Sequence, residues 1–168
     1  YCKTVNLKLQ GYVQGQNCAL ALFLLRDLNL YKEGVTEKAL ENTTIPGRME
    51  KILWERNLYL DGAHTVNSMN NLLDTFCQLY PSKNERGVCI FGSVAGKSHE
   101  EMAKAILKTF DKIVVCRPGT FKKSDPKALY ELLISLSNKN HVIEIQEEAK
   151  DALLWAKENT EEKEPILC

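Results

Sequence analysis

Three short stretches of this 168-residue chain carry the residue types that site chemistry needs. Asp61-Gly62-Ala63-His64 sets an acid and an imidazole around two small residues. Gly92-Ser93-Val94-Ala95-Gly96-Lys97 places a lysine at the end of a run of small residues, and Arg117-Pro118-Gly119-Thr120 adds a guanidinium close to a glycine. Small residues let backbone N–H groups approach oxygens, and cations offset the charge on those oxygens, so the three stretches together suit a nucleotide or a phosphate. Other devices are missing. No G-x-x-x-x-G-K-[ST] phosphate loop occurs, and Gly11-Tyr12-Val13-Gln14-Gly15 does not fit the dinucleotide fingerprint G-x-G-x-x-G. Clustered His and Cys that would suit zinc are absent from the sequence, as is G-x-S-x-G, so hydrolase and dehydrogenase readings have little support.

The surrounding elements must bring the three stretches together. Asn57 to Leu60 reads as a strand, Asn67 to Tyr80 as a helix and Gly87 to Phe91 as a strand. Ser98 to Phe110 reads as a helix with Ser98 as cap and Glu101 as its capping-box partner. Lys112 to Cys116 continues as a strand, Pro126 to Ser137 as a helix begun by Asp125-Pro126, His141 to Ile145 as a strand and Glu147 to Glu158 as a helix. The runs Val88–Phe91 and Ile113–Cys116 are apolar throughout, as strands of a parallel sheet are when helices cover both faces. The fold class expected is α/β: a doubly wound, mostly parallel sheet with helices on both faces. Ligands of such sheets bind beyond the carboxyl ends of the strands, so all three stretches belong on one rim.

Upstream the texture differs. Thr4 to Gln10 alternates apolar and polar residues at the period of a half-buried strand. Asn17 then leads into Cys18–Leu28, apolar almost all round, which predicts a helix buried on more than one face with neighbours that the first 46 residues cannot fully supply. Thr36 to Asn42 reads as a short helix capped by Thr36, and Thr43–Gly47 as a turn or linker. A domain boundary is expected there, dividing residues 1–46 from 47–168. At the other end Lys157–Glu164 is a charge run that reads as a solvated face, and Pro165–Cys168 as the start of a strand.

Composition narrows the class of partner. Lys and Arg number 22, as do Asp and Glu, so no net field draws the molecule to nucleic acid or an anionic membrane. The six cysteines are scattered without a C-x-x-C pair, which suits a reducing cytosol. No stretch approaches the roughly 18 apolar residues of a membrane-spanning helix, and a cytoplasmic protein is expected.

Taken in order, Gly15-Gln16-Asn17 entering a helix, Pro46-Gly47-Arg48-Met49-Glu50, and Tyr59-Leu60-Asp61-Gly62-Ala63-His64 resemble the Mur ligase superfamily, and within it the folate branch of folylpolyglutamate and dihydrofolate synthases. Residues 1–46 resemble the end of the central ATPase domain, and residues 47–168 the C-terminal domain. Two stretches depart from the pattern: Thr65-Val66 follow His64 where bacterial members usually have Asn-Pro, and Gly96-Lys97-Ser98 stands where Asp-Lys-Asp is frequent. The resemblance implies an ATP-dependent ligase that activates the carboxylate of a folate or dihydropteroate as an acyl phosphate, which the amine of L-glutamate attacks. It places the phosphate loop and the ligands of magnesium (Mg2+) upstream of this chain, so the chain by itself is expected to be inactive and to need the remaining N-terminal and central domains.

The resemblance further implies that Asn17, Arg48 and Asp61 contact ATP, through adenine, phosphate oxygens and ribose hydroxyls respectively. His64 becomes the candidate catalytic group at the phosphate end, and Lys97 a weaker candidate for binding glutamate. No metal ligand is expected within the chain. Each residue also has a plain structural reading: Asn17 as a helix cap, Arg48 as a solvated linker residue, Asp61 as the closure of an Asx turn. Lys122, Lys123 and Lys127 read as a solvated face rather than as a site for a polyglutamate tail. A cell-wall Mur ligase fragment and a non-catalytic nucleotide-binding or interaction module are the alternative functions.

Overall fold

The computed structural model describes residues 4–120 and 122–168, so Cys2 lies outside it. A six-stranded sheet forms the centre, built from β1 (Glu50–Leu53), β2 (Asn57–Leu60), β3 (Val88–Phe91), β4 (Lys112–Val115), β5 (Val142–Ile145) and β6 (Pro165–Leu167) in the order β1-β2-β6-β3-β4-β5. From β2 onward every neighbouring pair is parallel, and only β1 runs antiparallel, as the partner of β2. The helices are α1 (Tyr12–Asp27), α2 (Val35–Asn42), α3 (Val66–Leu79), α4 (His99–Thr109), α5 (Pro126–Leu136) and α6 (Ala149–Glu158). This is the mostly parallel sheet with helices on both faces that the apolar strands predict.

The two faces have separate cores. Met69, Leu72, Leu73 and Phe76 of α3, Met102 and Ile106 of α4, and Leu129 and Leu133 of α5 pack on Cys89, Phe91, Ile113, Val115 and Leu167. Phe76 is central to this layer, with its ring 5.1 Å from that of Phe110 and 6.2 Å from that of Tyr59. On the opposite face Ala152 and Ala156 let α6 approach Val88, Ile90, Val114 and Ile166 closely. Fully burying a side chain of the Leu, Ile or Phe class contributes about 1.5–3 kcal/mol, so these layers hold the sheet and therefore its rim.

β6 is the strand that sequence order conceals. Its three residues are all buried, and it lies between β2 and β3 although it comes last in the chain. The carboxyl ends of β2, β6, β3 and β4 thus share one rim, and the loops after β2, β3 and β4 all lie along it as expected.

Several local expectations are corrected. Residues 4–10 do alternate between exposed and half-buried, but they form no strand. Period two records a chain with one side against the protein; a ladder also requires a partner edge, and none pairs with this segment. β1 was not foreseen, because Glu50-Lys51-Ile52-Leu53 alternates weakly and Leu53 is 98% exposed at the sheet edge. α1 begins at Tyr12, so Asn17 is not its cap but lies in its second turn. Gly11 initiates the helix at φ 101° and packs so closely on α3 that a Cβ there would sit 2.5 Å from Thr75 Oγ1. Nor does α1 bury several faces: no residue of it is buried, and Leu20, Phe23 and Leu24 are exposed.

Thr36 lies inside α2 rather than capping it, with its Oγ1 accepting from Lys32 N–H at 3.0 Å; Gly34 holds the cap position and donates its N–H to Glu37 at 2.6 Å. Ser98 precedes α4 as expected, but its side chain makes no cap hydrogen bond and the capping box with Glu101 does not form. Asp125 does cap α5, accepting from Ala128 N–H at 3.0 Å. The charge run near the end is only partly solvated, since Thr160 is buried and Lys112 reaches Asn159 O at 2.8 Å.

Candidate functional site

The linker before β1 is fastened to the loop after β2. Asp61 Oδ2 accepts from Met49 N–H at 2.8 Å, Asp61 Oδ1 accepts from Ala63 N–H at 2.8 Å, and Gly62 N–H donates to Gly47 O at 2.8 Å. Glu50 completes the clasp by accepting from Gly47 N–H at 2.8 Å. Met49 needs such restraint, being a buried non-glycine residue at φ 46°. The Asx-turn reading of Asp61 is therefore realised in its bond to Ala63. Each carboxylate oxygen uses one of its two lone-pair sites on these backbone groups and keeps the other.

Arg48 follows directly from this geometry. Its guanidinium is exposed and lies over the Gly62 backbone, where a Cβ would stand 3.1 Å from Nη1. A glycine at 62 thus lets a fixed positive charge lie against the loop that carries Asp61. Asp61, Arg48, Gln14 and Ser68 line a cavity of about 90 Å³ between the start of α1 and α3.

His64 comes next on the same loop and is exposed. Its Nδ1 is 2.8 Å from Gly62 O. A carbonyl oxygen only accepts, so Nδ1 carries the hydrogen and Nε2 is left to face solvent. Thr65 then caps α3, accepting from Ser68 N–H at 3.2 Å, while Ser68 Oγ accepts from Thr65 N–H at 3.0 Å. Thr65-Val66 therefore gives α3 a well-formed start in place of Asn-Pro.

Arg48, Asp61 and His64 are brought together; Asn17 and Lys97 are not part of that cluster. Asn17 is exposed on α1, with its amide donating to Gln14 Oε1 at 3.2 Å, and so reaches the cavity only through its neighbour. Lys97 lies on the loop after β3, separated from the loop after β2 by β6 in the sheet. Arg117, on the loop after β4, is engaged by Glu147 at 2.6 Å and Glu148 at 3.7 Å, which makes it a tie between the β4–α5 and β5–α6 loops. Among the described residues no group of three or more His, Cys, Asp or Glu converges to hold a metal ion. Met49 and Gly47, whose backbone groups complete the clasp, were not singled out from sequence; the positive φ at both leaves no residue-type signal at a methionine.

A family model described as the glutamate ligase domain of Mur ligases matches residues 47–167. The dihydrofolate synthase/folylpolyglutamate synthase of Bacillus subtilis is 29% identical over 109 residues, covering 61% of this chain and 24% of the relative. The UDP-N-acetylmuramoyl-L-alanyl-D-glutamate–2,6-diaminopimelate ligase of Buchnera aphidicola is 26% identical over 168 aligned residues, covering 97% of this chain and 32% of the relative. Among solved structures, E. coli FolC in complex with DHPP and ADP has a TM-score of 0.82 at 18% identity, covering 99% of this chain and 37% of that one. The chain thus spans 24% to 37% of the length of these proteins.

Proposed function

The chain belongs to the Mur ligase family through its glutamate ligase domain, and from that premise we propose that it supplies one side of the ATP and amino-acid site of a ligase that adds L-glutamate to a folate or dihydropteroate carboxylate. The observation that carries this reading is the juxtaposition of Arg48, Gly62 and Asp61 on one loop and linker at the rim. Residues 1–46 act as the end of the ATPase domain and residues 47–168 as the domain that closes over the nucleotide.

In this reaction the substrate carboxylate attacks the γ-phosphorus of ATP, giving an acyl phosphate and ADP. The glutamate amine then attacks the acyl carbon, the C–O bond to phosphate breaks, and the amine loses a proton as the amide forms. The protein contributes mainly positioning and charge neutralisation. Arg48 forks onto phosphate oxygens, and Asp61 uses its remaining lone pairs to accept from ribose hydroxyls. His64, with Nδ1–H held by Gly62 O, presents Nε2 towards the phosphate end. Asn17 offers a donor and an acceptor to adenine once its bond to Gln14 opens. Lys97 meets a carboxylate of the incoming glutamate. Magnesium, when bound, neutralises phosphate charge through ligands supplied by the rest of the parent protein.

The match to the Buchnera cell-wall ligase favours a second reading, in which the same half-site serves a peptidoglycan precursor. One experiment separates the two. The full-length parent protein is assayed for ADP release with glutamate and either dihydropteroate, tetrahydrofolate or a UDP-muramoyl peptide. Release dependent on a pterin substrate supports the folate reading; release with the muramoyl peptide alone replaces it, and release with none counts for a non-catalytic module.

A further inference from the structure

The loop between β3 and α4 is secured by a histidine that the ligase reading does not use. His99, the first residue of α4, has Nε2 at 3.0 Å from Val94 O and 3.1 Å from Ser93 Oγ. The carbonyl can only accept, so Nε2 carries a hydrogen and donates. This disposes of a Ser–His nucleophile, because a protonated Nε2 cannot take the proton of Ser93. The pair is instead a clasp across the base of the loop. Ser93 is buried on the β3 side, at 8% exposure, and His99 stands on the helix side.

Other bonds close the same loop. His99 N–H donates to Lys97 O at 2.9 Å, and Ala95 N–H donates to Lys123 O at 2.9 Å on the adjoining loop. Between these anchors stands Gly96 at φ 81°, with no atom within 4 Å of where a Cβ would be. The ordinary device for fixing a helix start is lacking, since Ser98 makes no side-chain cap bond. Without the His99 ring, the tip that carries Lys97 has a free glycine on one side and an uncapped helix start on the other.

We propose that His99 is a positioning residue for the acceptor amino acid: it holds the β3–α4 loop in the one shape that presents Lys97 to the carboxylate of that substrate. The proposal rests on the ligase reading above. His99 does not touch the reacting atoms and acts through the loop alone.

The test uses the full-length parent protein, first with each common amino acid as acceptor so that the one supporting ADP release is identified. With that acceptor, His99→Ala should raise its KM about tenfold or more while the KM for ATP changes less than about twofold, because only one substrate meets this loop. Thermal midpoint should fall by no more than about 3 °C. His99→Gln, whose amide nitrogen can donate to Val94 O, should restore most of the acceptor KM. An unchanged acceptor KM in His99→Ala overturns the proposal, as does a rise in both KM values together. A wild-type protein that uses an acceptor other than glutamate overturns the folate reading, yet the His99 variants still decide the role of the loop with that acceptor.

Discussion

Asp61 accepts the Met49 backbone N–H at 2.8 Å, so the residue proposed to meet the ribose also pins the linker at a methionine with φ 46°. On the proposed reading one side chain serves both stability and ligand binding, and its variants should separate the two. Asp61→Ala leaves the N–H groups of Met49 and Ala63 without their acceptor and should cost about 2 kcal/mol, read as a fall in melting temperature of about 5 °C. Asp61→Asn keeps one acceptor oxygen and should lose about half as much. In the parent enzyme both should raise the KM for ATP by about tenfold or more. Lowered stability with an unchanged KM would reduce Asp61 to its structural part.

Two glycines should respond to alanine in opposite directions. Gly87 sits at φ 43°, and a Cβ there would lie 2.1 Å from Pro165 O, on the backbone of the central strand β6. Gly87→Ala should prevent β6 from seating and cost more than about 3 kcal/mol, seen as loss of cooperative unfolding. Gly15 is in the exposed part of α1 with nothing within 4 Å of its Cβ position, so Gly15→Ala should stabilise by about 0.5–1 kcal/mol. Chemical denaturation of both variants checks the pair.

How far these features could be read in advance depends on what each pattern encodes. Val88–Phe91 and Ile113–Cys116 were legible because continuous apolar residues require cover on both faces, which the buried cores provide. The position of β6 was not, since an apolar run says that a strand is covered but not which strands flank it. Residues 4–10 show the converse: their alternation matches their exposure, yet no ladder forms. At the site, acid, imidazole and small residues after β2 were legible as a rim loop. The clasp between Asp61 and Met49 was not, because it joins a side chain to a backbone N–H, and any residue other than proline supplies that donor.

Alkaline pH should weaken the fold through three thiols, Cys89, Cys116 and Cys168, each pushed up by burial. Burial pushes Cys116 from the ordinary value of 9.0 up to about 11, and burial together with the neighbouring Cys116 pushes Cys168 up to about 12. The folded state thus holds these protons after the unfolded chain has released them. The stability involved is fully present below pH 9 and is lost as pH rises towards 11 and 12, by up to about 1.4 kcal/mol per pH unit for each thiol. Cys116→Ala should flatten the slope between pH 9 and 11, as measured by denaturant unfolding at several pH values. An identical slope in the variant would show that the thiol does not control it.

The outer face of α1 should tolerate polar residues without loss of stability. On α1 Leu20 is 59% exposed and Phe23 68%, and Leu28, the C-cap residue just past the helix, is 62% exposed. Replacing these three with Gln, Ser and Lys should change unfolding free energy by less than about 0.5 kcal/mol each. The same substitutions should reduce self-association of the isolated chain, as read by sedimentation, because they remove exposed apolar side chains. A cost above about 1 kcal/mol per residue would mean that the face is buried in solution.

The most specific test of the proposed nucleotide half-site is Gly62→Ala. Gly62 is not among the positive-φ residues, so its backbone accepts an alanine without strain. The new methyl group would stand 3.1 Å from Arg48 Nη1, tight enough to displace the exposed guanidinium by a few tenths of an ångström, and 3.6 Å from Gly47 O, an ordinary contact that leaves the clasp intact. Stability should therefore change by less than about 0.5 kcal/mol, as expected of a surface substitution that loosens only the exposed 3.4 Å bond from Arg48 Nη1 to Gly47 O. A bidentate guanidinium–phosphate pair depends on a fixed fork geometry, so displacing it should weaken ATP binding in the parent enzyme by about tenfold. Arg48→Lys should produce a similar loss, because an ammonium keeps the charge and forfeits the fork. If Arg48 is only a solvated linker residue, both variants will bind ATP as the wild type does. Isothermal titration with ATP, beside a thermal melt of each variant, distinguishes a displaced ligand from a damaged fold.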